Sequence, residues 1–453
     1  MPERTVTPTS TSAARDDGSS GLGDPYFPNA GNGGYDVSSY DLDLRYDPQT
    51  DVLDGTAVIQ AMSTMALESF YLDFVGFDIM RLEVDGVPVD FERSGGELQV
   101  VPPDGIPANQ SFEIQIDYEG VPQPAVGPFG ERLGWNETED GAFVLSEPTG
   151  AATWYPVNDH PLDKASYVFD VTVPAGLEVV ANGTLAGTEE GGDGWTTWTY
   201  ESPSEMASYL AMVAIGHFVF EEMETNDGIP VRNAYDESFA DDAKQNFERT
   251  PQMIEFFEER FGPYPFDVYG NAVLDFNWGG IALETQTFSI FDRNFARRGI
   301  SAEPTVAHEL AHQWFGNSVS PAAWDDIWLN EGFATYAQWL WIEEAAGVSI
   351  DEQIEQGVDP RAIAQPPPGD PGPDDMFAGS VYIRGALTLH ALRSTVGDDT
   401  FFEILRDYYD EYAGGNASTD DFIEVAEDVS GRQLDPLFDR WLYDIEMPAL
   451  PID

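Results

Sequence analysis

Two of the five histidines in this 453-residue chain fall within one short stretch, AHELAHQWFGN, as His308 and His312 with Glu309 right behind the first. On a helix, positions i and i+4 share a face with Cβ atoms about 5–6 Å apart, so both imidazoles can reach one ion. A hydrolytic zinc takes three protein ligands and keeps one position open for water. The chain has no cysteine, so thiolates are excluded and the third ligand should be a carboxylate. WLNEGFATY supplies it: Glu331 follows His312 with eighteen residues between them, at the start of a second helical segment able to pack on the first. His308, His312 and Glu331 are therefore expected to hold one zinc ion per chain. Glu309 falls beside the ligand face, where its carboxylate can touch a water instead of the ion and act as general base. The other histidines, His160, His217 and His390, are isolated and expected to be structural.

These residues need elements to position them. SAEPTVAHELAHQWFGN reads as a helix from Ser301 to about Phe315, and DIWLNEGFATYAQWLWIEEAAG as a second ending near Gly347. TPQMIEFFEERFG carries a possible N-cap at Thr250, Pro251 at the first helical position and Gly262 at the end. Upstream the period is two. Tyr40, Leu42, Leu44 and Tyr46 share one face, as do Phe112, Ile114, Ile116 and Tyr118, and Tyr167, Phe169, Val171 and Val173. Half-buried antiparallel strands are expected. The organisation is then a flexible tail over 1–32, an all-β domain over 33–220 and a mostly helical domain over 221–453 that holds the histidines.

Composition narrows the setting. The chain has 82 acidic residues against 20 basic ones, a formal charge of −62 spread along the whole sequence, and only Lys164 and Lys244 as lysines. With 13% aromatic residues it is not a disordered polyanion. Such a charge repels itself in a compact state unless salt screens it, and at 1 M salt screening shortens to roughly 3 Å. The pattern resembles proteins of salt-accumulating halophiles. It excludes nucleic acid as a partner. With no apolar run of about 18 residues and no signal core in the first thirty, no membrane partner and a cytoplasmic location are expected.

The pattern of HExxH, eighteen residues and then Glu within NEGFA resembles the zinc aminopeptidases of the aminopeptidase N and leukotriene hydrolase family, the gluzincins. Three further segments agree. GGIALETQTF resembles the strand usually written Gly-x-Met-Glu-Asn, which implies Glu284 as holder of the substrate's free amine, with Gly279 and Gly280 as substrate contacts. Here Leu283 and Thr285 replace Met and Asn, and the glycines stand one place early. SVYIRGALTLHALR resembles the segment with a catalytic tyrosine, which implies Tyr382 as hydrogen-bond donor to the oxyanion. LSEPTGAATWYPVNDHP resembles the β-domain segment that also grips the amine, which implies Glu147. The resemblance covers roughly Gly33 to Asp453. It implies an α+β multidomain fold, with a saddle-like N-terminal β domain before a thermolysin-like, mostly helical catalytic domain. The family's C-terminal helical domain is not expected, because the chain stops after FDRWLYDIEMPALPID. The implied activity is zinc-dependent removal of the first residue from peptides with a free N-terminus. An endopeptidase or epoxide hydrolase with the same zinc site, and a non-catalytic binding module on the same scaffold, are the rivals.

Overall fold

The alternation at Tyr40, Leu42, Leu44 and Tyr46 buries one face of a long strand, Tyr35–Asp47, while Asp36, Asp41 and Asp43 face outward. In the computed structural model, which describes residues 16–127 and 130–452, this strand lies at the middle of an eight-stranded sheet. It pairs antiparallel with Val52–Ser63, placing Tyr40 opposite Ile59, and parallel with Lys164–Pro174, placing Tyr40 opposite Tyr167. The parallel pair departs from the antiparallel expectation. Alternation reports which face is buried but not strand direction, and these two partners are far apart in sequence.

A second β layer, Ala125–Val126, Arg132–Glu137, Ala142–Leu145, Val213–Gly216 and Glu178–Ala181, carries Glu147 two residues beyond the strand Ala142–Leu145. The C-terminal half does not open on helices. It opens on a five-stranded sheet in the order Phe218–Glu224, Pro230–Asp236, Asn271–Leu274, Ser289–Asp292 and Ala282–Leu283, which starts two residues before the boundary drawn at 220. Phe143, Leu145 and Val180 of the β layer pack with Ala272, Leu274 and Ile290 of this sheet in one apolar cluster. That contact brings the segments of Glu147 and Glu284 together.

Helices Thr250–Phe261, Glu303–Ala311, Trp328–Ala346 and Gly379–Val396 complete the frame of the site. Pro251 stands in the first turn of its helix, and Gly262 and Gly347 end theirs with positive φ, as Gly readily does. Thr250 is the first helical residue and Arg249 the N-cap, which makes no side-chain capping bond. The histidine helix is shorter than expected, running over Glu303–Ala311 with His312 as its C-cap.

The expected flexible tail over 1–32 is corrected from residue 16 onward; residues 1–15 lie outside the described part. Asp16–Asp17 adds a parallel edge to the strand Leu67–Asp73. The Asp24 carboxylate is buried and accepts from Trp324 N at 2.9 Å, while His160 Nε2 approaches it at 3.2 Å. An unpaired carboxylate would not be buried there, so these bonds tie the segment to both halves. His160 is thus part of a structural contact, and His390 contacts Asp351 at 3.0 Å and the Tyr336 hydroxyl at 3.2 Å. His217 is half-buried, 3.6 Å from Asp140. Among the described residues no helix is long and apolar enough to cross a membrane.

Candidate active site

The histidine helix and the helix Trp328–Ala346 pack together and bring three ligand atoms to one point. His308 Nε2 lies 3.1 Å and His312 Nε2 3.5 Å from the same Glu331 oxygen. His312 Nδ1 is 3.1 Å from the carbonyl of Phe315, so as an N–H it donates there and leaves Nε2 free to ligate. All three residues are buried.

Around this triad stand three more buried carboxylates. Glu309 and Glu284 lie with His312 in a second such group, and Glu147 and Glu284 with Glu331 in a third, the ligand atoms of each group lying within 4.8 Å of one another. Burial pushes the Glu147, Glu284 and Glu309 carboxyls up; His312 pulls Glu284 and Glu309 partly back, and neighbouring carboxylates push all three up again. Burial would raise Glu331 too, but hydrogen bonds from His308 and His312 outweigh it and bring it down to about 2. Burial would lower His312, but Glu284 and Glu331 drive it up to about 10. Four carboxylates thus face two imidazoles, so the cluster demands cations. Two imidazoles and a carboxylate, converging in a buried site without thiolates, fit a hydrolytic zinc.

Tyr382, on the helix Gly379–Val396, stacks its ring on His308 at 5.9 Å between centroids, and burial together with the nearby Glu331 carboxylate raises its hydroxyl. Two glycines allow this approach. A Cβ on Gly385 would meet Gly332 Cα at 3.0 Å, and one on Gly332 would meet the Gly385 backbone at the same distance. Gly385→Val should therefore force the two helices apart, cost about 1–3 kcal/mol by overpacking, and lower the melting temperature. A midpoint equal to wild type in thermal denaturation would refute this account of the crossing.

Glu147, Glu284, His308, Glu309, His312, Glu331 and Tyr382 all line one cavity of about 410 Å³, with apolar walls from Leu133, Leu145, Trp278 and Leu283. Gly279 and Gly280 are not among its lining residues, although their neighbours Trp278 and Ile281 are. They make a turn instead, with φ of 86° and 100°. The Gly280 N–H donates to the Asp292 carboxylate at 2.8 Å, and a Cβ there would run into the Arg298 guanidinium. That turn gives both glycines a structural reason of its own.

Sequence reasoning missed Thr305, Gln338 and Phe377, which also line the cavity, and Gln313 and Asn317, whose amides bond the backbone around Glu284. The last two stand inside the opening stretch, where fully buried amides directly after a metal helix were a readable signal.

Comparison with known proteins agrees with this geometry. Residues 245–441 match the Peptidase family M1 domain, and residues 37–210 match the Peptidase M1 N-terminal domain. The chain belongs to peptidase family M1. It is similar to the M1 zinc metallopeptidase from Deinococcus radiodurans, with a TM-score of 0.86 at 29% identity over 95% of this chain and 98% of that one. A mutant of that enzyme bound to a Tyr-Ser-Ala substrate gives 0.84 at 29% identity over 95% and 99%. A leucyl aminopeptidase of Saccharolobus solfataricus is 27% identical over 92% of this chain and 54% of its own length. A glutamyl aminopeptidase of Bos taurus is 25% identical over 91% and 47%. The chain spans about half the length of the curated relatives it matches. His308, His312 and Glu331 form the candidate metal site of this M1 protein.

Proposed function

We propose that the chain is a zinc aminopeptidase that hydrolyses the first peptide bond of peptides carrying a free N-terminus. One observation supports this most: Glu147 Oε1 and Glu284 Oε1 are buried beside the metal triad with no hydrogen-bond partner among the described residues, His312 Nδ1 coming no nearer to Glu284 than 3.9 Å. Buried carboxylate oxygens without partners are costly, and an ammonium group would satisfy both. Held by His308, His312 and Glu331, zinc would supply Lewis-acid polarisation of the scissile carbonyl and a more acidic water.

The protein's own groups do the rest. Glu309 takes a proton from the attacking water and hands it to the leaving amine, a task suited to a carboxyl whose proton affinity burial has raised. The Tyr382 hydroxyl, itself kept protonated by burial, donates to the carbonyl oxygen as charge develops. Glu147 and Glu284 fix the substrate's ammonium group at one end of the cavity. The decisive assay follows one peptide, with and without an N-acetyl cap, by mass spectrometry.

We also propose adaptation to a cytoplasm at molar salt. The outer face of the eight-stranded sheet sets Asp41 and Asp43 beside Asp170; partial burial raises both carboxyls, and the Asp170 charge raises them further. Repulsion of this kind, repeated over a surface of 82 acidic residues, weakens when salt screens it. Dialysis from about 3 M to about 0.05 M KCl should lower the melting temperature by on the order of 10 °C and reduce activity. An unchanged midpoint and full activity at low salt would end this reading.

A further inference from the structure

The segment bearing Glu284 is poorly held by its own sheet. Ala282–Leu283 pairs with only Phe291 and Ile290, and then the chain leaves the ladder. Thr287 adopts φ 67°, the left-handed region that a β-branched residue rarely enters. Strain of this kind persists only where surroundings over-determine it.

Those surroundings come from two sides: the β domain holds the Gln286 carbonyl through Asn182 Nδ2 at 2.7 Å and the Thr287 hydroxyl through the Gly183 N–H at 2.7 Å, and the turn after the histidine helix holds the backbone at Glu284 itself. The Glu284 carbonyl accepts from Asn317 Nδ2 at 2.7 Å and from Gln313 Nε2 at 3.2 Å. The Thr287 N–H donates to Gln313 Oε1 at 2.8 Å, so one amide grips both sides of the turn. Both side chains are fully buried. The turn is itself tied to the metal ligand: the Asn317 N–H donates to the His312 carbonyl at 2.9 Å, and the His312 ring faces the Phe315 carbonyl at 3.1 Å. From the β domain, Lys164 Nζ donates to the Asn317 carbonyl at 3.2 Å and the Ser318 carbonyl at 2.9 Å.

We infer that Gln313 and Asn317 are positioning residues that fix the distance between the metal-binding His312 and the amine-binding Glu284, and so set the cut after residue one. This rests on the aminopeptidase reading above. An extended peptide advances about 3.3 Å per residue, and a misplacement of about 1 Å already costs rate heavily. A carboxylate that loses its backbone clamp would still be present, but no longer at the right spacing.

The test uses Asn317→Ala and, as a second variant should the first fold poorly, Gln313→Met. Each is assayed with one peptide in free-amine and N-acetylated form. Against the free amine, kcat/KM should fall about tenfold or more, mainly through KM, while the slow cleavage of the acetylated peptide is unchanged and zinc stays bound at the wild-type ratio. In a Glu309→Gln background, the Kd of the free-amine peptide should weaken about tenfold and that of the acetylated peptide should not move. Combined with Glu284→Ala, the variants should add little further loss, because they act through that residue. Equal losses on both peptides, additive losses in the double variants, or release of zinc would overturn the inference. If wild type itself cuts both peptides at one rate, the aminopeptidase reading falls first, and the inference with it.

Discussion

Glu309→Gln should lower kcat by about a hundredfold or more while zinc content and melting temperature stay close to wild type. Glu309 is only 5% exposed, and the triad that converges on the metal position is His308, His312 and Glu331. Glutamine keeps the volume and removes the proton acceptor, so the loss falls on the proton shuttle and not on the fold. Relief from crowding points the same way: burial and the carboxylates of Glu284 and Glu331 raise the Glu309 carboxyl, so a neutral amide is well tolerated there. Glu331→Ala is the control with the opposite signature. It removes the oxygen that both imidazoles face, and it should release the metal as well as the activity. Metal analysis beside steady-state rates on an aminoacyl reporter separates the two. Near-wild-type turnover by Glu309→Gln would assign the base to another group.

How much of this was legible depends on the range of the interaction. His308 and His312 could be read because helix geometry fixes their separation locally. Glu331 needed a gap of eighteen residues to close, which periodicity does not dictate; the lack of thiolates and a carboxylate at the start of a second helical segment pointed to it. The Tyr35–Asp47 face was legible residue by residue, yet its parallel partner was not, since alternation carries no direction. Gly279 and Gly280 show a glycine required locally: both take positive φ, and at Gly280 a Cβ would meet the Arg298 guanidinium. Gly332 and Gly385 show the converse. Nothing local marks them, because the contact that requires them lies between two helices that meet only in three dimensions. The segment from Asp16 looked like a tail for the same reason. Its Asp24 has partners at His160 and Trp324, far along the chain.

An N-acetylated peptide should be cleaved about a thousandfold more slowly, or worse, than the same peptide with a free amine. The cap removes the positive charge and leaves Glu147 and Glu284 facing an amide that cannot satisfy them. Two carboxylates in a buried cavity then lose the cation they were arranged around, and the electrostatic loss is far larger there than in water. Glu284→Ala should shrink the difference chiefly by weakening the free-amine peptide, with zinc retained, because Glu284 sits outside the His308, His312 and Glu331 triad. Glu147→Gln should act in the same direction from the β-domain side. The cut position is an independent readout. With the ammonium fixed beside the metal, products should appear as single residues released in order from the N-terminus, each visible by mass spectrometry over time. First cuts at internal bonds, or equal rates on capped and uncapped peptide, would mean that the unpartnered carboxylates serve something other than the amine, and the endopeptidase reading would take its place.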